Sequence, residues 1–460
     1  MTTQSKVSTV LLVLGLPVAL GLALATQGTG IIKNDLERNI YIPTELTMPL
    51  QIKSAYNGEQ IFFRYRWPAA APHILHDVLR YEDGKWLTEG HGVPGPAANG
   101  LHEDRVAMMV DDGSVAEFSR YGGYVAIGAG IAGFTHENPK GVSKHLPETQ
   151  QDEVALEDVT QHQLRKAGYF LDLWHWRAGR SNPIAMADDQ NVGKSRSGDE
   201  GKGSYTKNWN GDTNQPLQMF NVQTTGQRAL AWDDVRQGKI TQEDSYYLSA
   251  QTAVPFDPQA DWKNGDTLPR RILRQPVGDR GDIAVVAKET RWEDGFWNVT
   301  LVRDMDTGNP LNDKIFREKG RYDLAVSVHR NATGGRWHYV SMPYTVGLGR
   351  DADFPAMAFQ GDSPDWSQEW FDMTLFYPGQ VNWPLLTSKA HPGAEDIAAG
   401  KPVRPRHSEK VLAIHGVEME FNDKIIHQWQ LTLLAGLFAM LGITLALLPA
   451  FRNTKKGARS

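Results

Sequence analysis

The chain contains no cysteine. That excludes disulfides, thiolate metal sites, iron–sulfur ligation by this chain and covalent attachment of haem through a CxxCH motif. It leaves the compartment open, because an oxidising environment permits cysteine pairs without requiring them. No P-loop, no HExxH pair and no Ser/His/Asp triad presents itself along the sequence. Beyond His427 the C-terminal apolar segment holds no histidine, so this chain alone cannot supply two intramembrane imidazoles for a bis-histidine haem. A dominant charge of one sign is missing too. The net charge is −6 over 460 residues, with both signs mixed, which gives no support for a nucleic-acid partner.

What is there begins at the two ends. Lys6 is the sole charge before Lys33, Val7 to Ala25 is almost wholly apolar, and Ala23-Leu24-Ala25 has the small residues of a cleavage site. Residues 1–26 therefore read as a signal peptide or a signal anchor. Leu431 to Phe451 carries no charge and fits one transmembrane helix, placed at 429–451. Arg452, Lys455, Lys456 and Arg459 follow without an acid, so the positive-inside rule puts 452–460 in the cytoplasm. The bulk of the chain is then expected in the periplasm or outside the cell, held to the inner membrane by one span. The basic, proline-containing run Lys401 to Lys410 opens a stalk over 401–428. Ala435 and Ala439 give the span a small-xxx-small spacing that permits close helix contact.

The length allows roughly two or three ordinary domains or one large sheet-rich unit. With 44 glycines and 14 tryptophans, broad aromatic packing and many tight turns are expected. IFFRYRW (61–67), RVAMMV (105–110), DIAVVAKET (282–290), NVTLVRDM (298–305), YDLAVSVHR (322–330) and RWHYVSM (336–342) read as strands. YEDGKW (81–86) and WEDGFW (292–297) centre on Glu-Asp-Gly turns that suit hairpins. GAGIAG matches G-x-G-x-x-G at Gly128, Gly130 and Gly133, but THENPKG follows where a dinucleotide fold needs a helix. A glycine-rich turn is the better account. The expectation is a mainly β protein: a large β-sandwich-like domain over 27–400, interrupted by a polar insertion at about 184–241, with a C-terminal transmembrane helix.

The chain is organised around Gly168 to Pro183, so the chemistry is sought there. In an extended strand Leu171, Leu173, His175 and Arg177 share one face, while Asp172, Trp174 and Trp176 share the other. Large side chains on both faces predict a central strand, which is either core or the wall of a flat apolar cofactor. For an extracytoplasmic redox role without cysteine, a non-covalent haem remains, and its axial ligands are drawn from histidine, methionine or neutral lysine. Met108 and Met109 lie on opposite faces of one strand, so one of them points inward. His175 and Lys288 are the other donors placed on apolar strands. His73 and His76, in HILH, are a poor metal pair beside Pro72.

FLDLWHWRAGRSNP (170–183), EDRVAMMVDDGSVAEFSRYGG (103–123) and DIAVVAKETRWEDGFWNVTLVRDM (282–305) resemble the ethylbenzene-dehydrogenase-related haem-binding family, over most of Leu50 to about Gly349. The resemblance implies one haem b in a β-sandwich, relaying electrons between a periplasmic redox partner and a membrane or quinone-linked partner, or a soluble carrier. It implies an electron-transfer subunit more than an independent catalyst. The smaller members use a methionine and lysine pair. Lys288 matches the lysine by position, with Met109, Met108 and His175 competing for the opposite side. Trp174 and Trp176 would then shield the porphyrin, and Arg177 or Arg180 would pair with a propionate. The insertion and the terminal span depart from the small soluble pattern and look like the larger membrane-attached cytochromes. The competing expectation is a non-redox, membrane-tethered β-sandwich that serves as a scaffold or ligand-binding subunit.

Overall fold

The computed structural model describes residues 47–90, 101–116, 118–126, 146, 157–331, 338–376 and 422–457, with isolated positions at 15, 17, 18 and 21. The glycines at 128, 130 and 133, nearly all of segment 1–26, the stalk up to 421 and the turn at 332–337 lie outside the described residues. Ile42–Lys401 forms one compact unit, and Met1–Tyr41 with Pro402–Ser460 forms another.

The larger unit is built on a 13-stranded sheet. Its strands in chain order are β1 (Thr47–Tyr56), β2 (Gln60–Pro68), β3 (Arg105–Asp111), β4 (Leu171–Arg177), β5 (Asp188–Val192), β6 (Arg196–Gly198) and β7 (Val286–Glu293). They continue with β8 (Phe296–Asp304), β9 (Arg321–His329), β10 (Tyr339–Ser341), β11 (Tyr344–Leu348), β12 (Phe354–Ala358) and β13 (Phe371–Phe376). The sheet runs β7-β8-β2-β1-β12-β11-β9-β3-β4-β5-β6, with β10 on β9 and β13, and β13 returning to β1.

The residue pattern explains the placement. β2 buries Ile61, Phe63, Tyr65 and Trp67 and leaves Arg64 and Arg66 half-exposed, the period of two that a strand with one core face requires. β3 and β4 are buried at every position, because both of their faces are covered. Both Glu-Asp-Gly turns form hairpins. Asp83 and Gly84, like Asp294 and Gly295, have positive φ at both central positions, the type I′ geometry that matches strand twist.

The sheet doubles back so that β2 and β8 face β3 and β4 across the core. Phe63 meets Trp174 edge-on at 5.5 Å, Trp67 meets Trp176 at 6.0 Å, and Trp176 meets Trp297 at 5.1 Å. The Tyr65 hydroxyl donates to Met108 Sδ at 3.0 Å in the same layer. The fold is therefore a large, mainly β, sandwich-like domain accompanied by one C-terminal membrane-length helix.

Within the polar tract 184–241, β5 and β6 extend the main sheet past β4. Further along, buried Asn208 braces the chain: its amide donates to the carbonyls of Gln218 and Pro269, and its oxygen accepts from the N–H groups of Leu217 and Gln218. One side chain thus satisfies four backbone groups that a loop would otherwise leave unpaired. Leu230–Ala231, Asp266–Pro269, Val78–Glu82 and Lys85–Glu89 make a separate four-stranded sheet.

Two helices matter here, α1 (Glu157–Lys166), which leads into β4, and α2 (Asn422–Gly457). In α2 the stretch Gln430–Leu448 is long and apolar enough to cross a membrane, and Leu433, Leu437, Phe438 and Leu441 are exposed. A helix apolar all round and unburied belongs in lipid.

Candidate functional site

β4 carries two different environments on its two faces. On the first, Asp172 Oδ2 accepts from Arg303 Nη2 at 2.7 Å and from the Lys314 N–H at 2.9 Å. Arg303, on β8, also reaches Asp189 at 3.4 Å and Asp313 at 3.3 Å, and all four side chains are fully buried. Burial works against the Arg303 charge, but Asp172, Asp189 and Asp313 outweigh it and hold the guanidinium more firmly protonated than usual. Burial and crowding among the acids push Asp189 well above the carboxylate range and Asp313 up to about 7, against the pull of Arg303. Next to it Lys314 Nζ bonds Asp111, Asp112 and the Gly168 carbonyl.

On the second face, β4 presents Leu173, His175 and Arg177. His175 is 3% exposed. Its Nδ1 faces Arg196 Nη2 at 2.8 Å and Arg177 Nη2 at 3.2 Å, so Nδ1 accepts and the proton of the neutral ring sits on Nε2. That Nε2–H has no partner among the described residues. Burial first, and then Arg177, Arg196 and Arg105, hold His175 well below the usual imidazole range. The pairing Val328↔Tyr339 of β9 and β10 brings His329 opposite His338, and their rings stack at 4.6 Å. His329 lies 6.4 Å from the His175 ring. A cavity of about 30 Å³ opens here, lined by Met109, Leu173, Ala325, His175, His329, His338 and Arg196.

Guanidiniums crowd this side. Glu103, fully buried, pairs with Arg180 and accepts from the Gly179 N–H at 2.8 Å, with Arg105 at 3.5 Å. Although burial alone would raise it, Arg180 and Arg105 bring the Glu103 carboxyl below its usual range. Arg177 pairs with Asp188. Arg180 bonds the Tyr205 hydroxyl at 3.2 Å; burial opposes ionisation of that phenol, yet Arg177 and Arg180 lower it.

The predicted site residues fall into separate places. Trp174 and Trp176 are 0% exposed and packed against Phe63, Phe316, Trp67 and Trp297. Met108 is tied to Tyr65 in that aromatic layer, while Met109 and His175 line the cavity on the opposite face. Arg177 and Arg180 are engaged by protein carboxylates. Lys288 sits on β7, at the far end of the sheet beside a bulge, with its ammonium 5.5 Å from the Phe62 ring.

These positions correct the haem b cytochrome assignment. The tryptophans wall no porphyrin slot but fill solid core, and the cavity near Met109 and His175 is an order of magnitude below the several hundred Å³ that a large cofactor needs. The one group of metal-ligating side chains that converges among the described residues is Asp172, Asp189 and Asp313. Those are hard oxygen donors rather than the histidine, methionine or thiolate of a haem iron, and Arg303 already sits among them. The cofactor, the electron-transfer role and the cytochrome type of the family all fall with that geometry.

Sequence reasoning missed Arg303, Asp189 and Asp313, and also Arg105, Arg196, His329 and His338. A signal existed for two of them: His329 and His338 lie at mirrored positions in a pair of strands that reads plainly from sequence. Arg303, in the apolar run of β8, was visible as an anomaly, but its partner Asp172 is 131 residues away.

A profile of the family described as Ethylbenzene dehydrogenase matches residues 4–341. No curated protein matches the chain.

Proposed function

Because the chain belongs to the ethylbenzene dehydrogenase family, we propose that it is a membrane-tethered, non-redox β-domain that serves as a scaffold or ligand-binding subunit beside an oxidoreductase. The observation that carries this reading is the contrast between a solid interior and, among the described residues, one exposed apolar helix. Trp67, Trp174, Trp176 and Trp297 are fully buried and fill the core of the β-domain. In α2 the leucines at 433, 434, 437 and 441 remain exposed, which in water would cost roughly 1.5–3 kcal/mol each. Lipid removes that cost. The basic residues that follow the apolar stretch of α2, Arg452, Lys455, Lys456 and Arg459, orient it with the β-domain outside the cytoplasm. Membership of a family named for an oxidoreductase is consistent with a place in a larger multisubunit complex.

The test is to express the full chain in a host with an intact periplasm, wash the membranes with alkaline carbonate and purify the protein in mild detergent. The expected result is retention in the washed membrane, loss of retention when 429–460 is removed, and co-purification of at least one further subunit. A full-length protein that washes off the membrane overturns the tether. A chromophore with a Soret band in stoichiometric amount overturns the non-redox role.

A further inference from the structure

Among the described residues, the charges on the His175 face of β4 do not close. Arg105, Arg177, Arg180, Arg196 and Arg271 converge there, and the acids among them are already committed. Glu103 serves Arg180 and Arg105, Asp188 serves Arg177, and Asp77 is shared by Arg270 and Arg271. Arg196 is left with the Gln190 side-chain oxygen at 2.7 Å and the neutral His175 ring at 2.8 Å, and no carboxylate among the described residues pairs with it. A guanidinium does not shed its proton to escape such a site. Burial with Arg180 nearby nonetheless brings Arg196 down to about 10, the mark of a cation short of counter-charge.

Beside Arg196 lies the cavity of about 30 Å³, and the buried His175 also lines it, with an Nε2–H that has no partner among the described residues. The remaining wall is partly apolar, from Met109, Leu173 and Val340. We propose that this cavity is a binding site for a small planar oxyanion or carboxylate, which accepts from the Arg196 guanidinium and from His175 Nε2–H. The volume holds a water or an anion of few atoms and no more. Arg196 Nε and Nη2 are engaged by Gln190 and His175, so the guanidinium offers its Nη1–H groups to one oxygen of the anion while His175 Nε2–H directs a second. The anion supplies the counter-charge that the carboxylates leave missing. This site stands independently of the tether, because every residue in it belongs to the β-domain.

The test uses the full-length protein in detergent, in an anion-poor zwitterionic buffer, titrated with sodium formate or sodium nitrate against sodium chloride at matched ionic strength. The expected result is a saturable rise in melting temperature with formate and nitrate that chloride does not reproduce. Sodium benzoate, too large for the cavity, is expected to behave as chloride. Stabilisation by formate alone marks a carboxylate site, and by nitrate as well a general planar-oxyanion site; both support the proposal. Arg196→Gln is expected to melt at or above the wild-type temperature without anion, since it removes an unbalanced buried cation, and to lose the anion response. His175→Phe is expected to weaken binding about tenfold to a hundredfold through the lost charge-assisted donor. No saturable response beyond chloride in the wild type overturns the proposal, as does a full response in a folded Arg196→Gln protein. If Arg196→Gln does not fold, the His175→Phe titration decides, and an undiminished response there overturns it.

Discussion

The two faces of β4 differ in how their charges are balanced. On the Asp172 face, Arg303 is ringed by three carboxylates and Lys314 by two more, with the Trp174 ring 4.8 Å from the Arg303 guanidinium. On the His175 face, guanidiniums outnumber the acids among the described residues, and a ring N–H has no partner among them. Both faces are buried, so burial alone does not distinguish scaffold from site. What separates them is how the surplus charge is relieved: on the Asp172 face acids such as Asp189 and Asp313 are driven toward the protonated form, whereas a guanidinium on the His175 face keeps its proton. The first face can settle by itself, and the second is the one for which an anion is proposed.

The sharpest way to break this contrast is Arg303→Met. It leaves three carboxylates facing one another without a cation, and the expected cost is about 3–5 kcal/mol in urea unfolding of the β-domain. A loss below about 1 kcal/mol would mean that the acids simply take up protons, and the Asp172 face would no longer count as an ion-paired brace.

A smaller effect comes from pH, with opposite signs on the two faces. Asp313 is raised from 3.8 to about 7 in the folded protein. Its contribution is therefore fully present below about pH 4 and is lost as pH rises toward 7. His175 is lowered from 6.5. Its contribution is present above pH 6.5 and is lost as pH falls below that value. Asp313→Asn should flatten the first slope by roughly 2 kcal/mol between pH 5 and 6.5, and His175→Gln should flatten the second. Melting curves across that window check the signs. Variants whose pH profiles run parallel to the wild type would show that neither group titrates on unfolding as described.

The smallest expected effect is at the sheet end. Lys288→Met keeps the aliphatic stem over Phe62 and removes a half-exposed charge, so unfolding free energy should change by no more than about 0.5 kcal/mol. A loss above 2 kcal/mol would reveal a dependence on this ammonium that its surroundings do not explain.

Much of the architecture is legible locally. The alternation in LDLWHWR (171–177), the two Asp-Gly turns and the charge-free run after Gln430 each need only a few neighbouring residues to be read. The site was harder to read. Trp174 and Trp176 suggested a cofactor wall because large aromatics serve equally well as lining and as filling, and nothing in a strand says which. The deciding partners, Phe63, Trp67 and Trp297, come from β2 and β8. Met108 and Met109 were indistinguishable in sequence, yet one is bonded to Tyr65 in the core and the other faces the cavity. The polar tract after Pro183 likewise hid β6, whose Arg196 reaches His175.

By itself, the sequence determined that the chain is rich in strands, which side chains of β4 share a face, and that one segment is apolar enough for lipid. These follow from backbone periodicity and transfer free energy, which act over a turn or a strand. Which face of β4 is sealed and which keeps an unmatched charge was decided only when strands far apart in the chain were brought together. Coulombic balance and cavity shape depend on distances of a few ångströms between such residues, and a linear order of amino acids does not contain those distances.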